Sequence, residues 1–274
     1  MRLTTLLAAL ATAALTAATR DLYIIAHQDD DLLFMNPSLL HAIKAGDTIQ
    51  TIYLTAGDGG LDTSYWTSRQ AGALAAYAQM AGVTSTWDEY DLGIEGKIIP
   101  KYTLHDHDTI SLAFLHIPDG NGDGSGFAST GNESLEKLWK GEIPLIRTVD
   151  DSGTIYSRGG LINALSQAIN DFAPDTINAQ DYIHAFGTGD HSDHTAGALF
   201  ANQAAIVSTF PGDVWAYEGY PIEDLPANVV GKDLEAKKRA FYTYAPYDSA
   251  TCASDAACAG KDYEPWLLRE YKLN

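Results

Sequence analysis

Tyr23-Ile24-Ile25-Ala26-His27-Gln28-Asp29-Asp30-Asp31 runs from an apolar, β-branched stretch straight into a histidine and three carboxylates. The apolar part reads as a buried strand, and the polar part as what that strand delivers at its carboxyl end. Neighbouring carboxylates repel, so packing alone gives no reason to gather three of them there. A divalent cation supplies one: it offsets the repulsion, and one carboxylate can ligate while the next handles protons. The competing reading is an Asp-rich strand-to-helix turn with Asp30 or Asp31 as the helix N-cap.

Outward from this stretch, short apolar runs alternate with helical patterns. Leu22 to Ala26 and Thr48 to Leu54 read as strands. Between them, Leu32 to Ala45 reads as a helix broken or begun at Asn36-Pro37. Ala71, Leu74, Ala75 and Ala78 mark one face of a helix that starts near Trp66 and is closed by Gly82. Leu161, Ile162, Leu165, Ala168, Ile169 and Phe172 form the apolar stripe of another, stopped by Pro174. Thr176 to Ala179 is a short strand, and a helix is expected from about Asp193 to Val207. Lys97 to Leu104 and Ile110 to His116 read as a hairpin beside the main sheet, followed by a Gly-rich loop over Asp119 to Gly131. This β-α-β alternation predicts an α/β fold, a three-layer Rossmann-like domain with a mostly parallel sheet. No repeat or linker interrupts residues 19–274, which read as one domain.

The balance of 17 Lys+Arg against 36 Asp+Glu gives a formal net charge of −19. Such a surface repels nucleic acid and anionic membrane, so a nucleic-acid partner is excluded. Arg2 followed by the Ala/Leu/Thr-rich run Leu3 to Ala18 reads as an export signal over residues 1–18, with a retained anchor as the alternative. The run is too short and too weakly apolar for a permanent span. The expected protein is therefore secreted, with no stable membrane span once the signal is cleaved. Cys252 and Cys258 share a Ser/Ala/Asp/Gly loop and are expected to form one local disulfide. Asn132-Glu133-Ser134 is a glycosylation sequon, meaningful in a eukaryotic host.

In an open α/β sheet, ligands bind outside the carboxyl ends of the strands. Three polar clusters fall at such ends: His27 to Asp31, Thr55-Ala56-Gly57-Asp58-Gly59-Gly60, and Gly187-Thr188-Gly189-Asp190-His191-Ser192-Asp193-His194. The first and third together resemble the LmbE/PIG-L family of zinc-dependent de-N-acetylases, whose motifs usually read Ala-His-Pro-Asp-Asp-Glu and His-x-Asp-His. The Thr55-x-Gly57-Asp58 segment and a helix led by Arg69 extend the likeness over most of residues 21–208. The resemblance implies zinc, or another divalent transition metal, held by His27, Asp30 and His194. It implies Asp29 as general base, and His191 as donor to the oxyanion and leaving amine with Asp193 orienting its ring. Asp58 and Arg69 would meet the substrate, an N-acetylated amino sugar or glycoconjugate that loses its acetyl group. The chemistry is coherent. Two imidazoles and one carboxylate leave catalytic zinc a position for water, and zinc brings that water's pKa toward about 7, within reach of a carboxylate base.

This chain departs from the pattern with Gln28 in place of Pro and Asp31 in place of Glu. Gln70, Ala71 and Gly72 follow Arg69 where the family tends to carry a carboxylate. Two other functions share these motifs: an N-acetylglucosaminyl-phosphatidylinositol de-N-acetylase at the endoplasmic reticulum membrane, and a secreted carbohydrate-binding protein without catalysis. A nucleotide-binding reading fails for lack of a Gly-x-Gly-x-x-Gly turn after the first strand.

Elsewhere, His105-Asp106-His107-Asp108 reads as a solvated hairpin turn rather than a second metal cluster. Asp119 to Gly124 copies the first half of a calcium loop, but Thr130 stands where the bidentate Glu belongs, so a Gly/Asp turn is expected. Tyr65 and Trp66 read as core aromatics by default, with stacking on a sugar ring beside the Gly57 loop as the alternative.

Overall fold

The structure, a computed structural model, describes residues 18–274, so the expected export signal lies outside it but for Ala18. The strands are β1 (Arg20–Ile25), β2 (Thr48–Thr55), β3 (Trp87–Asp91), β4 (Pro100–Leu104), β5 (His107–Ile117), β6 (Ile146–Arg147), β7 (Ile155–Tyr156), β8 (Thr176–Gln180) and β9 (Val214–Tyr217). Seven build one sheet in the order β3-β4-β5-β2-β1-β8-β9, and β6 and β7 pair in a separate ribbon. The run β5-β2-β1-β8-β9 is parallel, and β4 and β3 extend it antiparallel. The predicted α/β class with a mostly parallel sheet is what the chain adopts.

The helices are α1 (Asp30–Phe34), α2 (Ser38–Ala45), α3 (Thr63–Ala81), α4 (Leu135–Lys140), α5 (Arg158–Phe172), α6 (Ser192–Val207), α7 (Gly231–Tyr244), α8 (Asp255–Cys258) and α9 (Tyr263–Leu267). They cover both faces of the sheet. Alternation along β1 sends Tyr23 and Ile25 into a core shared with α1, α2, α3 and α7, and Leu22 and Ile24 into a second core shared with α4, α5 and α6. A strand buried on both faces is best served by apolar side chains, and β1 is apolar from Leu22 to Ile25.

Pro37 has no N–H to continue a helix, so the expected Leu32–Ala45 helix is two, α1 ending at Phe34 and α2 starting at Ser38. α3 starts ahead of Trp66, because Asp62 caps it by accepting from the Ser64 amide at 3.0 Å. Gly82 closes it in the left-handed conformation, as its spacing predicts. His105 and Asp106 form the turn between β4 and β5, with His105 pairing an exposed Asp88. Cys252 and Cys258 are joined in a disulfide that is buried in the first core. No helix among the described residues is long and apolar enough to cross a membrane.

β1 has β2 on one side and β8 on the other, so the chain leaving β1 and the chain leaving β8 diverge over the sheet's carboxyl edge. A cleft opens at that reversal.

Candidate active site

The loop after β1 delivers His27, Asp29 and Asp30 to this cleft, and the start of α6 delivers His191, Asp193 and His194. Asp30 is the meeting point. One of its oxygens lies 3.1 Å from His27 Nδ1 and the other 3.0 Å from His194 Nε2. The His27 amide also donates to Asp30 at 2.6 Å, which fixes the carboxylate between the two rings. Each ring is backed by a second carboxylate on its far side: His194 Nδ1 lies 2.8 Å from Asp190 Oδ1, and His27 Nε2 lies 3.4 Å from Asp193 Oδ2. His27 Nε2 and His194 Nε2 are buried yet satisfy no hydrogen bond among the described residues. Of these, His194 Nε2 faces the Asp30 carboxylate and fits a cation there, whereas His27 meets Asp30 through Nδ1; rings braced by outer carboxylates are the usual partners of ligating histidines.

His191 stands beside them, its ring 4.7 Å from that of His27. Its Nδ1 accepts from the Asp193 backbone amide at 3.1 Å, so Nε2 carries the proton and faces the cleft. The expectation that the Asp193 side chain orients His191 is met differently. That carboxylate is 3.9 Å from His191 Nδ1, and it instead accepts from the Gly120 amide at 2.7 Å and faces His27. The backbone orients His191; the side chain braces His27.

Asp29 is 7% exposed. Its Oδ1 accepts from Arg69 Nη2 at 2.7 Å, while Oδ2 makes no hydrogen bond among the described residues. Arg69 is fully engaged: Nη1 donates to the Gly57 carbonyl and Nε to Tyr244 Oη, both at 2.7 Å, and Nε lies 2.9 Å from Asp248. Gly57 makes that approach possible. It has φ +56°, and a Cβ there would come within 2.3 Å of Nη1. Asp58 is likewise committed, accepting from the amides of Asp119 at 2.8 Å and Gly60 at 3.1 Å. Both side chains are held by internal partners; Arg69 nonetheless lines the cleft, and Asp58 does not.

Charges in the cluster follow its geometry. Burial works against an ionised Asp30, but His194 and His27 outweigh it and hold the carboxyl well below its usual range. Burial also opposes charge on His194, but Asp190 and Asp30 push it up to about 10; His27 moves the same way, burial being outweighed by Asp30, Asp193 and Asp119 together. His191 goes the other way, held down to about 4 by burial and then by His27. Asp29 is pushed up to about 6 by burial, against the pull of Arg69. A dication would reverse the sense for His27 and His194, since histidines ligate as neutral rings.

A cavity of about 270 Å³ covers these groups, walled by Tyr65, Tyr220, Tyr263 and Trp266 and by Asp119, Asp248 and Asp262. Tyr220 stacks on Trp266 with centroids 4.5 Å apart. Tyr65 lines this cavity, as the alternative reading of the sequence has it, but Trp66 packs on His116 and faces a separate cleft of about 450 Å³ that holds none of the three histidines. Asp119 is a site residue that the sequence reading passed over. It lies 3.8 Å from both His27 Nε2 and His191 Nε2. The signal was its place directly after β5, the same position relative to a strand as His27.

A family model described as PIG-L, GlcNAc-PI de-N-acetylase, matches residues 22–205. The chain belongs to this family. Among solved structures, it resembles the N,N'-diacetylchitobiose deacetylase of Pyrococcus horikoshii, at 16% identity over 91% of this chain and 76% of that one, with a TM-score of 0.52. It also resembles teicoplanin deacetylase Orf2 in a zinc-inhibited form (15% identity, 82% and 84% covered, TM-score 0.48). A third is the 4-carboxy-2-hydroxymuconate hydratase of Pseudomonas putida KT2440 (12%, 90% and 82%, 0.47). At such identities the likeness is one of fold. No curated protein sequence matches the chain. The PIG-L match ends before β9, so Tyr220, Asp248, Tyr263 and Trp266 come from beyond it.

Proposed function

We propose that the protein is an exported, zinc-dependent hydrolase that removes the acetyl group from an N-acetylated amino sugar or its neutral oligomers. His27 through Nδ1, Asp30, and His194 through Nε2 would hold the metal. The observation that carries this reading is the single carboxylate of Asp30 clasped between two buried imidazoles, each backed by a further carboxylate. When bound, zinc polarises the acetyl carbonyl and makes water a stronger acid.

The chain's own groups supply the rest. Asp29 takes the proton from the attacking water through its free oxygen as the new C–O bond forms. His191, its Nε2–H aimed into the cleft, donates a hydrogen bond to the oxygen where charge develops. The C–N bond then breaks, the proton held by Asp29 goes to the leaving nitrogen, and acetate and a free amine result. Arg69 keeps Asp29 ionised and aimed, and Asp58 holds the loop that carries Asp119.

The cleft's charge supports a neutral substrate over a phosphodiester. Asp29, Asp30, Asp119, Asp248 and Asp262 line it, while Arg69, the one arginine or lysine there, is spent on internal partners. An ammonium product is favoured in such a field and a phosphate repelled. The rings of Tyr65, Tyr220, Tyr263 and Trp266 offer the flat apolar surface that a pyranose face packs against. A buried disulfide fits an oxidising compartment outside the cytosol.

The test is acetate release from N-acetylglucosamine, chitooligosaccharides and N-acetylglucosaminyl-phosphatidylinositol by zinc-loaded protein. The first two should turn over and the phosphodiester should not. Asp29→Ala should lose at least about 100-fold in kcat with its metal retained, whereas His194→Ala should lose both. Undiminished release by Asp29→Ala would refute the assignment.

A further inference from the structure

Beside the cleft, the last two parallel strands each run on into a carboxylate. β8 and β9 pair with Gln180 opposite Tyr217, and the next residue on each is Asp181 or Glu218. Asp181 is 3% exposed and Glu218 8%. Asp181 Oδ1 accepts from the amides of Ile183 at 2.6 Å and His184 at 3.1 Å, and this turn brings His184 Nδ1 to 2.6 Å from Asp181 Oδ2. One ligand atom from each of Asp181, His184 and Glu218 lies within 4.8 Å of the other two.

Glu218 is the informative member. Its carboxylate makes no hydrogen bond and no ion pair among the described residues, although the residue is more than nine-tenths buried. It points at a second buried carboxylate, and no lysine or arginine among the described residues pairs with either. Burying a charge without a partner is costly, and facing it with a like charge costs more.

We infer that Asp181, His184 and Glu218 form a second divalent-cation site, distinct from the histidine cluster in the cleft. Two carboxylates and an imidazole suit a transition-series cation such as zinc or manganese, whereas calcium prefers oxygen ligands alone. A dication turns the repulsion between Asp181 and Glu218 into two attractions, and His184 closes the site from the solvent side.

What the site does follows from what its ligands carry. Asp181 opens the loop that ends at His191 and His194, and Glu218 leads through Gly219 into Tyr220, whose ring meets that of His194 with centroids 5.0 Å apart. Asp190 already links the two segments, accepting from the amides of His191 at 2.9 Å and Tyr220 at 3.0 Å. A cation bridging Asp181 to Glu218 fastens the same pair of segments at their other end, and so holds one wall of the cleft in place.

The experiment counts metal rather than turnover. Full-length protein is loaded with zinc alone or manganese alone, desalted and analysed by inductively coupled plasma mass spectrometry. Wild type should carry two equivalents, Glu218→Gln one, His194→Ala one, and the double variant none. Glu218→Gln removes an unpartnered charge, so chelated protein should melt no lower than wild type. His184→Ala, at an exposed position that leaves the fold intact, should also lose one equivalent. One equivalent in wild type that disappears in His194→Ala would overturn the inference, as would two equivalents in both Glu218→Gln and His184→Ala. The count in His194→Ala is made with the cleft disabled, so it stands or falls independently of the deacetylase reading.

Discussion

Removing the Arg69 guanidinium should move the acidic limb of the pH–rate profile, not merely lower the rate. Arg69 Nη2 lies 2.7 Å from Asp29 Oδ1, and burial pushes Asp29 up to about 6 even with that cation opposing it. An arginine at contact distance lowers an aspartate's pKa by roughly 1–3, so Arg69→Ala should leave Asp29 titrating roughly 1–3 pH units higher. The sign is fixed: losing a positive neighbour favours the protonated, inactive base, and the limb shifts toward alkaline pH. At pH 7 about nine-tenths of Asp29 is ionised in wild type for a pKa of about 6. In the variant the ionised fraction falls to between about one half and about one hundredth. Measured kcat/KM at pH 7 should therefore drop roughly 2- to 100-fold and recover as the pH is raised. Zinc-loaded wild type and variant are compared, so that the metal's own pull on Asp29 is common to both.

The same change strands Asp29 and Asp248 as buried charges, at a cost of about 3–5 kcal/mol. Arg69→Lys is the companion variant for that reason. It keeps a cation but gives up the fork that also reaches the Gly57 carbonyl and Tyr244. Its acidic limb should stay close to wild type even if kcat falls. The assay is acetate release between pH 5 and 10 with kcat and KM resolved separately. A stationary limb in Arg69→Ala together with a raised KM would refute the positioning role and return Arg69 to direct contact with substrate.

Three further outcomes are expected. Asp190→Ala removes the carboxylate 2.8 Å behind His194 and should weaken zinc binding roughly 10- to 100-fold in a chelator competition, with the fold retained. Asp31 accepts from the Tyr53 and Tyr77 hydroxyls, and burial pushes it up to about 7 from 3.8. Its folded pKa is the higher one, so the stability it confers is full below about pH 4 and is lost as the pH rises through about 7, about 4 kcal/mol in all. Urea unfolding of chelated Asp31→Asn should show that slope flattened relative to wild type; parallel curves would contradict it. Reducing the Cys252–Cys258 bridge, or replacing both cysteines with serine, should cost about 2 kcal/mol from the short loop it closes, seen as a lowered Tm without loss of the metal in the cleft.

Much of the fold is legible because its strands carry single-valued patterns. From Leu22 on, β1 is apolar on both faces, and its two-residue alternation feeds two cores, so neither its type nor its centrality is ambiguous. β3 escapes the same reading. Trp87-Asp88-Glu89-Tyr90-Asp91 lies largely exposed at the sheet's edge, where pairing comes from the backbone and side chains are free to be acidic. The last two helices escape for a different reason: α8 and α9 have 4 and 5 residues, too short to show a period. Yet the chain past β9 supplies Tyr220, Tyr263 and Trp266 to the cleft, so the substrate-facing wall is the part that pattern reading reaches least.

The motifs fix which residues meet but not which partner each one takes. His191-Ser192-Asp193-His194 forms the first turn of α6 and its cap, and adjacency in sequence invites pairing Asp193 with His191. A helix start instead turns successive side chains away from one another. The Asp193 side chain therefore crosses to His27 on another strand, and only its backbone amide reaches His191. Gln28 obeys the same logic. A proline there could not span to β2, but the glutamine amide donates to the carbonyls of Thr55 and Ala56, at 3.1 and 2.9 Å, and ties the first motif to the loop that carries Gly57. That tie lies under the Arg69–Gly57 contact, since a Cβ at Gly57 would press on Arg69 and on Gln28 alike. The chain thus replaces the rigidity of a proline ring with a hydrogen-bonded brace that also sets the seat of the arginine beside Asp29. Gln28→Pro should accordingly disturb Arg69 before it disturbs His27 or Asp30, appearing as an acidic limb displaced in the same direction as in Arg69→Ala while zinc affinity holds.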